Sequence, residues 1–277
     1  MDDFRDFAVT MLGIGALQMP TLISAAPEES ELSAFQILGF PFNLSRPFMR
    51  SHIAFSPGNI LRGRIYTLIT SMYYHTGPPH LIQNMTVLAA SGKEVHDKVG
   101  RQHFLAIFTG GGIFGNLGMW IYYILQRNRL ESRLLMMHEC PILANDEFLK
   151  KFDGIEMETA FDILNSGMAC FGASAGVNAI LSFGACCSMK QVIETLKECW
   201  RNKELELDMY FFGHIMNIVF TLKLFFTDAT AIIESFAPNY RFFEKLMEVG
   251  NITGHGGHMG GTMFGLFYYY MMYHRRR

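Results

Sequence analysis

The sequence predicts an all-α, polytopic membrane protein, a bundle of six membrane-spanning helices, and three observations carry that prediction. Half of the 277 residues are hydrophobic and only 17% are charged, with 25 Phe and 19 Met. Long runs lack Asp, Glu, Lys and Arg altogether: Phe7 to Ala26, Phe104 to Leu125, Cys170 to Met189 and His258 to Tyr273. Met209 to Phe226 carries one charge, Lys223, placed late enough to snorkel. A soluble domain of this length can bury such a composition, so the averages decide nothing. Uncharged runs of about 20 residues do decide, because they match the thickness of a bilayer core.

The expected spans, in order, are 5–26, 80–99, 104–125, 168–189, 209–227 and 257–274. The first is interrupted by Pro20. The second is the weakest, since Lys93, Glu94, Asp97 and Lys98 crowd its end and its apolar part, His80 to Gly92, reaches only about 20 Å. Pro78-Pro79 stops any helix arriving from upstream, so 27–79 reads as a long, partly membrane-embedded loop. Residues 126–167 carry Arg127, Arg129, Arg133, Lys150 and Lys151 and read as extramembrane. Residues 189–207 set Met189, Val192, Ile193, Leu196 and Trp200 opposite Lys190, Lys197 and Arg201, the pattern of an amphipathic helix on the bilayer surface. Two short amphipathic pieces are expected in 228–256, around Pro238. The domain division that follows is an N-terminal segment, 1–49, with the first span, and a membrane core over 50–277.

Lys93, Lys98 and Arg101 share one short loop, and the chain ends His274-Arg275-Arg276-Arg277. With six spans these lie on one side, the cytoplasmic side or its equivalent. A net charge of −2 and the absence of a basic stripe give no reason to expect nucleic acid as a partner. The five cysteines lack metal or redox spacing and read as small hydrophobes. The acidic start Met1-Asp2-Asp3 resembles neither a signal peptide nor a transit peptide. Asn43-Leu44-Ser45 and Asn251-Ile252-Thr253 match a glycosylation pattern that recurs by chance.

Polar residues in lipid are expensive, so those near span ends are the candidates for chemistry. Ser174, His258 and the pair His80 and Asn84 each lie near the start of an even-numbered span. Even-numbered spans run in one direction, so these starts share a membrane face. Ser174, within Gly172-Ala173-Ser174-Ala175-Gly176, suits a nucleophile, which needs a base within reach. His258 suits that base, since a reference pKa of about 6.5 favours proton shuttling near neutrality. The expected spans hold no Asp or Glu that could orient it, so a Ser–His dyad is expected. His80 and Asn84, four apart on one helix face, with the Ser174 N–H, suit an oxyanion hole. Gly172 allows backbone to approach a substrate carbonyl, while Gly261 and Gly265 form a small-residue face that lets the sixth span press on the fourth. His75, His80, His255 and His258 invite a metal, but no His-Glu-x-x-His occurs, so neither metal nor cofactor is expected. His255 and His214 read as structural or interfacial residues.

The order His75-x4-His80-x3-Asn84, Gly172-x-Ser174, then His258-x2-Gly261-x3-Gly265 resembles the rhomboid intramembrane serine proteases. The stretches Gly63-Arg64-x-Tyr66-Thr67-Leu68 and Val177-Asn178-Ala179-Ile180 resemble the mitochondrial-type eukaryotic branch, and the likeness covers roughly 50–275. The resemblance implies a six-helix rhomboid-like bundle around a water-filled cavity, with no cofactor. It implies that Ser174 attacks a peptide bond of a single-pass transmembrane protein, that His258 is the base, and that His80 and Asn84 hold the oxyanion. It also implies a mitochondrial inner membrane location. The chain departs from the family pattern at Ala175, where Gly usually follows the nucleophile, and at Gly63, where many members have Trp. The alternative function is a proteolytically inactive relative that binds transmembrane clients; the retained Ser174 and His258 favour activity. Substrate identity and oligomeric state stay open.

Overall fold

The computed structural model describes residues 2–19, 21, 46–75, 77–139, 165, 169–204, 207–237 and 254–274. Both glycosylation-pattern sites, the segment around Pro238 and residues 140–164 lie outside the described residues. The chain begins with α1 (Asp2–Leu17), followed by the short helices α2 (Arg46–His52), α3 (Pro57–Leu61) and α4 (Thr67–Thr70). Next come α5 (78–99) and α6 (101–139), one helical run divided at Gly100, whose φ of 80° and ψ of 164° break the hydrogen-bond ladder. The bundle is completed by α7 (Ser174–Asn202), α8 (Met209–Ser235) and α9 (His255–His274). The expected all-α architecture is met, and Pro78-Pro79 stands at the start of α5, where a missing N–H costs nothing.

Three boundaries differ from the sequence reading. The amphipathic stretch expected as a separate surface helix is the continuation of α7, which runs unbroken for 29 residues. At about 43 Å it exceeds the ~30 Å hydrocarbon core, so its charged last turns extend beyond the bilayer. Likewise α8 does not stop at 227 but continues to Ser235, where the expectation had a separate amphipathic piece. Nor does 126–167 begin as a loop, because α6 carries on to residue 139. Among the described residues, Pro78–Ser132 and Met209–Ser235 are long and apolar enough by themselves to cross a bilayer, at mean hydropathy 1.4 and 1.5. α7 and α9 are diluted by Gly, Ser, His and Tyr, the residues that make their packing faces and the site.

Packing centres on α6. Its glycines at 110, 111, 112, 115 and 118 leave a groove with no side chains, and neighbours fill it to backbone distance. A Cβ on Gly111 would lie 2.3 Å from the Ala179 methyl on α7, and one on Gly118 would lie 2.4 Å from the Gly256 carbonyl on α9. α9 meets α7 just as closely: a Cβ on Gly261 would fall 2.0 Å from the Ala175 carbonyl, and one on Gly265 2.2 Å from that of Ala179. Small residues drive such contacts in lipid because van der Waals packing, not water exclusion, holds helices together there. Leu88, Phe104, Ile107, Phe108, Ile180 and Phe183 are fully buried around these seams.

Polar contacts fasten the front of the chain to this frame. Asp6 on α1 bonds Arg101 at the α5–α6 joint, and Thr10 meets the buried His96 at 3.2 Å. In the loop ahead of α5, Asn59 donates to the carbonyls of Arg50 (3.0 Å) and Ala54 (2.8 Å), and Arg64 donates to Asn59 Oδ1. Asn116 on α6 donates to the Leu68 carbonyl (2.7 Å) and Ser71 Oγ (2.8 Å), joining that loop to the bundle.

Candidate active site

Ser174 is the first residue of α7, and the turn before it is built to hold it there. Phe55 and Cys170 exchange two backbone bonds, and the Gly172 N–H donates to the Ser71 carbonyl at 2.9 Å. Gly172 then takes φ of +114°, a conformation that favours glycine, and a Cβ there would sit 3.0 Å from His80 Cε1 and 3.2 Å from His75 Cδ2. The Ala173 N–H donates to His75 Nε2 at 3.2 Å. His75 must therefore be neutral at Nε2. Burial, reinforced by the neighbouring His80, pushes its pKa down to about 3, which keeps it an acceptor. The Ser174 N–H belongs to the first turn of the helix, whose N–H groups lack intrahelical acceptors.

His258 lies in the first turn of α9, and its Nε2 is 3.0 Å from Ser174 Oγ. On its other side, Nδ1 is 3.0 Å from Oδ1 of Asp228 on α8. This corrects the expectation of a dyad with no carboxylate in reach. Asp228 is buried, and the same Oδ1 also meets His255 Nδ1 at 2.6 Å. An ionised carboxylate only accepts, so both imidazoles carry their proton on Nδ1. In the neutral imidazole His258 Nε2 is then the acceptor that faces the Ser174 hydroxyl, the arrangement a general base requires.

The other expected residues fall as follows. His80 stands at the start of α5 against Gly172, with its ring 5.0 Å from that of His75. Asn84, one turn on, is buried and spends one amide hydrogen on the His80 carbonyl at 3.1 Å. Gly261 and Gly265 form the α9 face that rests on α7, which draws His258 to Ser174. His255, read from sequence as structural or interfacial, meets the site through Asp228. His214 does lie away from it, 3.2 Å from Ser188 Oγ. Asp228, His255 and His258 form the group among the described residues whose ligand atoms lie close enough to hold one metal ion, all within 4.8 Å of one another. The bonds already made within that group account for the arrangement.

The methyl of Ala175 has a definite place. It is turned to α6, where a Cβ on Gly115 would lie 2.3 Å from it, so Gly115 provides the room that the extra carbon of Ala175 takes.

Residues 62–275 match the rhomboid domain. The chain belongs to the rhomboid family. It is thus a polytopic helical membrane protein. Its relatives include an uncharacterized mitochondrial rhomboid protein of Schizosaccharomyces pombe, 34% identical over 80 residues, which are 29% of this chain and 19% of that protein. Mitochondrial RHOMBOID-like protein 12 of Arabidopsis thaliana is 29% identical over 79 residues, 28% of this chain and 24% of the relative. The matched stretch of this rhomboid protein therefore spans less than a quarter of either relative. No solved structure matches it.

Asp228 escapes the sequence reading because it falls one residue past the expected fifth span, 209–227, in the first of the short amphipathic pieces expected beyond it. A signal was available. Ala229, Ile232 and Ile233 continue the apolar pattern past it, which leaves Asp228 the one carboxylate between Met209 and Ile233.

Proposed function

We propose that this protein is an intramembrane serine endopeptidase that cuts single-pass transmembrane proteins. The observation that carries the reading is the line Ser174 Oγ, His258 Nε2, His258 Nδ1, Asp228 Oδ1, with two successive contacts of 3.0 Å. In the first step Ser174 Oγ attacks the scissile carbonyl carbon while its proton passes to His258 Nε2. The carbonyl π bond opens onto oxygen, and in this reading the N–H of Ser174 with the side chains of His80 and Asn84 stabilises that charge. Asp228 steadies the imidazolium through Nδ1. The tetrahedral adduct then expels the amine, which takes the proton from Nε2 and leaves an acyl-serine. Water, deprotonated by the same imidazole, cleaves the ester and restores Ser174. One oxyanion donor of this kind is typically worth about 10²–10³ in rate.

A substrate helix must unwind before its carbonyl is exposed to Ser174, so small or helix-breaking residues near the cut are favoured. The two relatives carry mitochondrial names, which supports a mitochondrial location; the inner membrane is what the family resemblance implies.

The test is cleavage of a reporter transmembrane substrate in liposomes by the wild type and by Ser174→Ala. Cleavage that disappears with Ser174→Ala is the expected result. Silence of both, across several substrates and with folding verified, sinks the reading in favour of an inactive client-binding relative. Cleavage that survives the substitution means another nucleophile.

A further inference from the structure

Polar contacts fasten α8 to the bundle at two levels, and a cavity lies between them. Near its start, Asn217 and His214 bond Ser188 on α7, at 3.1 and 3.2 Å. Toward its end, Asp228 meets α9, and Ser235 bonds Gln126 on α6 at 3.0 Å. Between these fastenings α7, α8 and α9 line a half-open cavity of about 750 Å³. Ile218, Leu222, Phe225, Leu266 and Ala185 make its walls apolar. Thr221, which lines it from α8, is nine-tenths buried, and its Oγ1 has no hydrogen-bond partner among the described residues.

One end of the cavity is charged. Lys190, Glu194 and Lys197 line it there, on the turns of α7 farthest from Ser174. Lys190 is shared between Glu194, at 3.8 Å, and the face of Tyr273, 5.3 Å from the ring centre, while Lys197 has no carboxylate partner among the described residues. In sequence, Arg275, Arg276 and Arg277 follow directly on α9, whose Tyr273 lines the same end. Lys190 lies about 24 Å along α7 from Ser174, close to the thickness of the hydrocarbon core and so at the level of headgroups.

We propose that this cavity is a binding site for one anionic glycerophospholipid, with an acyl chain between α7, α8 and α9 and its phosphate against Lys190 and Lys197. Size and charge both select this occupant. A membrane-spanning helix about 10 Å across and about 27 Å long displaces about 2,000 Å³, far more than the space present. The volume is that of a small-molecule site, about 300–1,000 Å³. Basic pockets between spans on the positively charged side attract anionic headgroups. The cavity begins at Thr262, one turn below His258, and is distinct from the Ser174 site.

The test uses the full chain in uncharged detergent, titrated with dioleoyl phosphatidylglycerol, dioleoyl phosphatidylcholine or inorganic phosphate. Thermal unfolding and native mass spectrometry are the readouts. A saturable rise in midpoint with phosphatidylglycerol is expected, at one lipid per chain. In K190E/K197E, which alters exposed positions, the half-saturating concentration rises at least about tenfold. Ala185→Phe, which fills the cavity, loses the retained lipid; should it fail to fold, the charge variant decides alone. Equal stabilisation by phosphatidylcholine, an unchanged response of K190E/K197E, or a full effect from phosphate alone would each overturn the proposal. None of these readouts depends on proteolysis.

Discussion

α8 and α9 both flank α7, and they are held to it by opposite means. α9 lies in seams where glycine faces backbone, so close that a Cβ at Gly261 would fall 2.0 Å from a carbonyl oxygen. α8 presents its apolar side chains outward, with Met216 65%, Phe226 61% and Ile233 72% exposed, and is fastened by a few polar contacts. The candidate site draws on both. Ser174 and His258 come from the tight pair, and Asp228 comes from the loose helix. The nucleophile and base are therefore positioned by main-chain contact, whereas the group that orients the base rides on the more loosely packed of the two flanking helices.

The comparison breaks most sharply at Gly261. Gly261→Val places carbons where the Ala175 carbonyl already lies, and overpacking of this kind typically costs about 1–3 kcal/mol or more. We expect loss of cleavage and a clear fall in the unfolding midpoint in detergent; a variant that keeps both would show that the seam can open.

Asp228→Ala comes next. Its expected cost is about 10²-fold in kcat with little change in KM, since His258 stays beside Ser174 but loses its orienting acceptor. The unfolding midpoint should move far less than in Gly261→Val. A fall in KM-linked binding alone would count against the orienting role.

A finer probe is the pair Ala175 and Gly115. Gly115→Ala sets two methyls within 2.3 Å and should destabilise by about 1–3 kcal/mol, while Ala175→Gly alone should cost less. Combining them should recover part of the loss; the recovery is incomplete because the Gly257 carbonyl also lies 2.8 Å from a Cβ on Gly115. Additive losses in a thermal-unfolding cycle would refute the compensation. The smallest effect belongs to the outer face of α8: Phe226→Ala in detergent should change stability within about 0.5 kcal/mol.

Much of this arrangement was legible in the sequence because two regularities survive without coordinates. Charge-free runs locate helices in lipid, and alternating direction puts Ser174, His258 and His80 on one face. The seam glycines on α9 were visible as Gly261 and Gly265, four apart. The matching groove on α6 was not singled out, since a run such as Gly110-Gly111-Gly112 does not say which neighbour fills it. Asp228 and His255 were lost to a boundary. A helix end is read from where hydrophobicity falls, and a functional carboxylate lowers hydrophobicity without ending the helix. The Ala175–Gly115 match was out of reach as well, because it relates residues sixty positions apart through the angle at which two helices cross.

The glycine groove of α6 has a mechanical meaning. Where main chains already touch, a single methyl is too large an increment, and so is a small slide or roll of one helix against the next. α6, α7 and α9 are in effect a keyed joint: they stay seated or they come apart, with no intermediate travel. Any graded movement this bundle makes is left to α8.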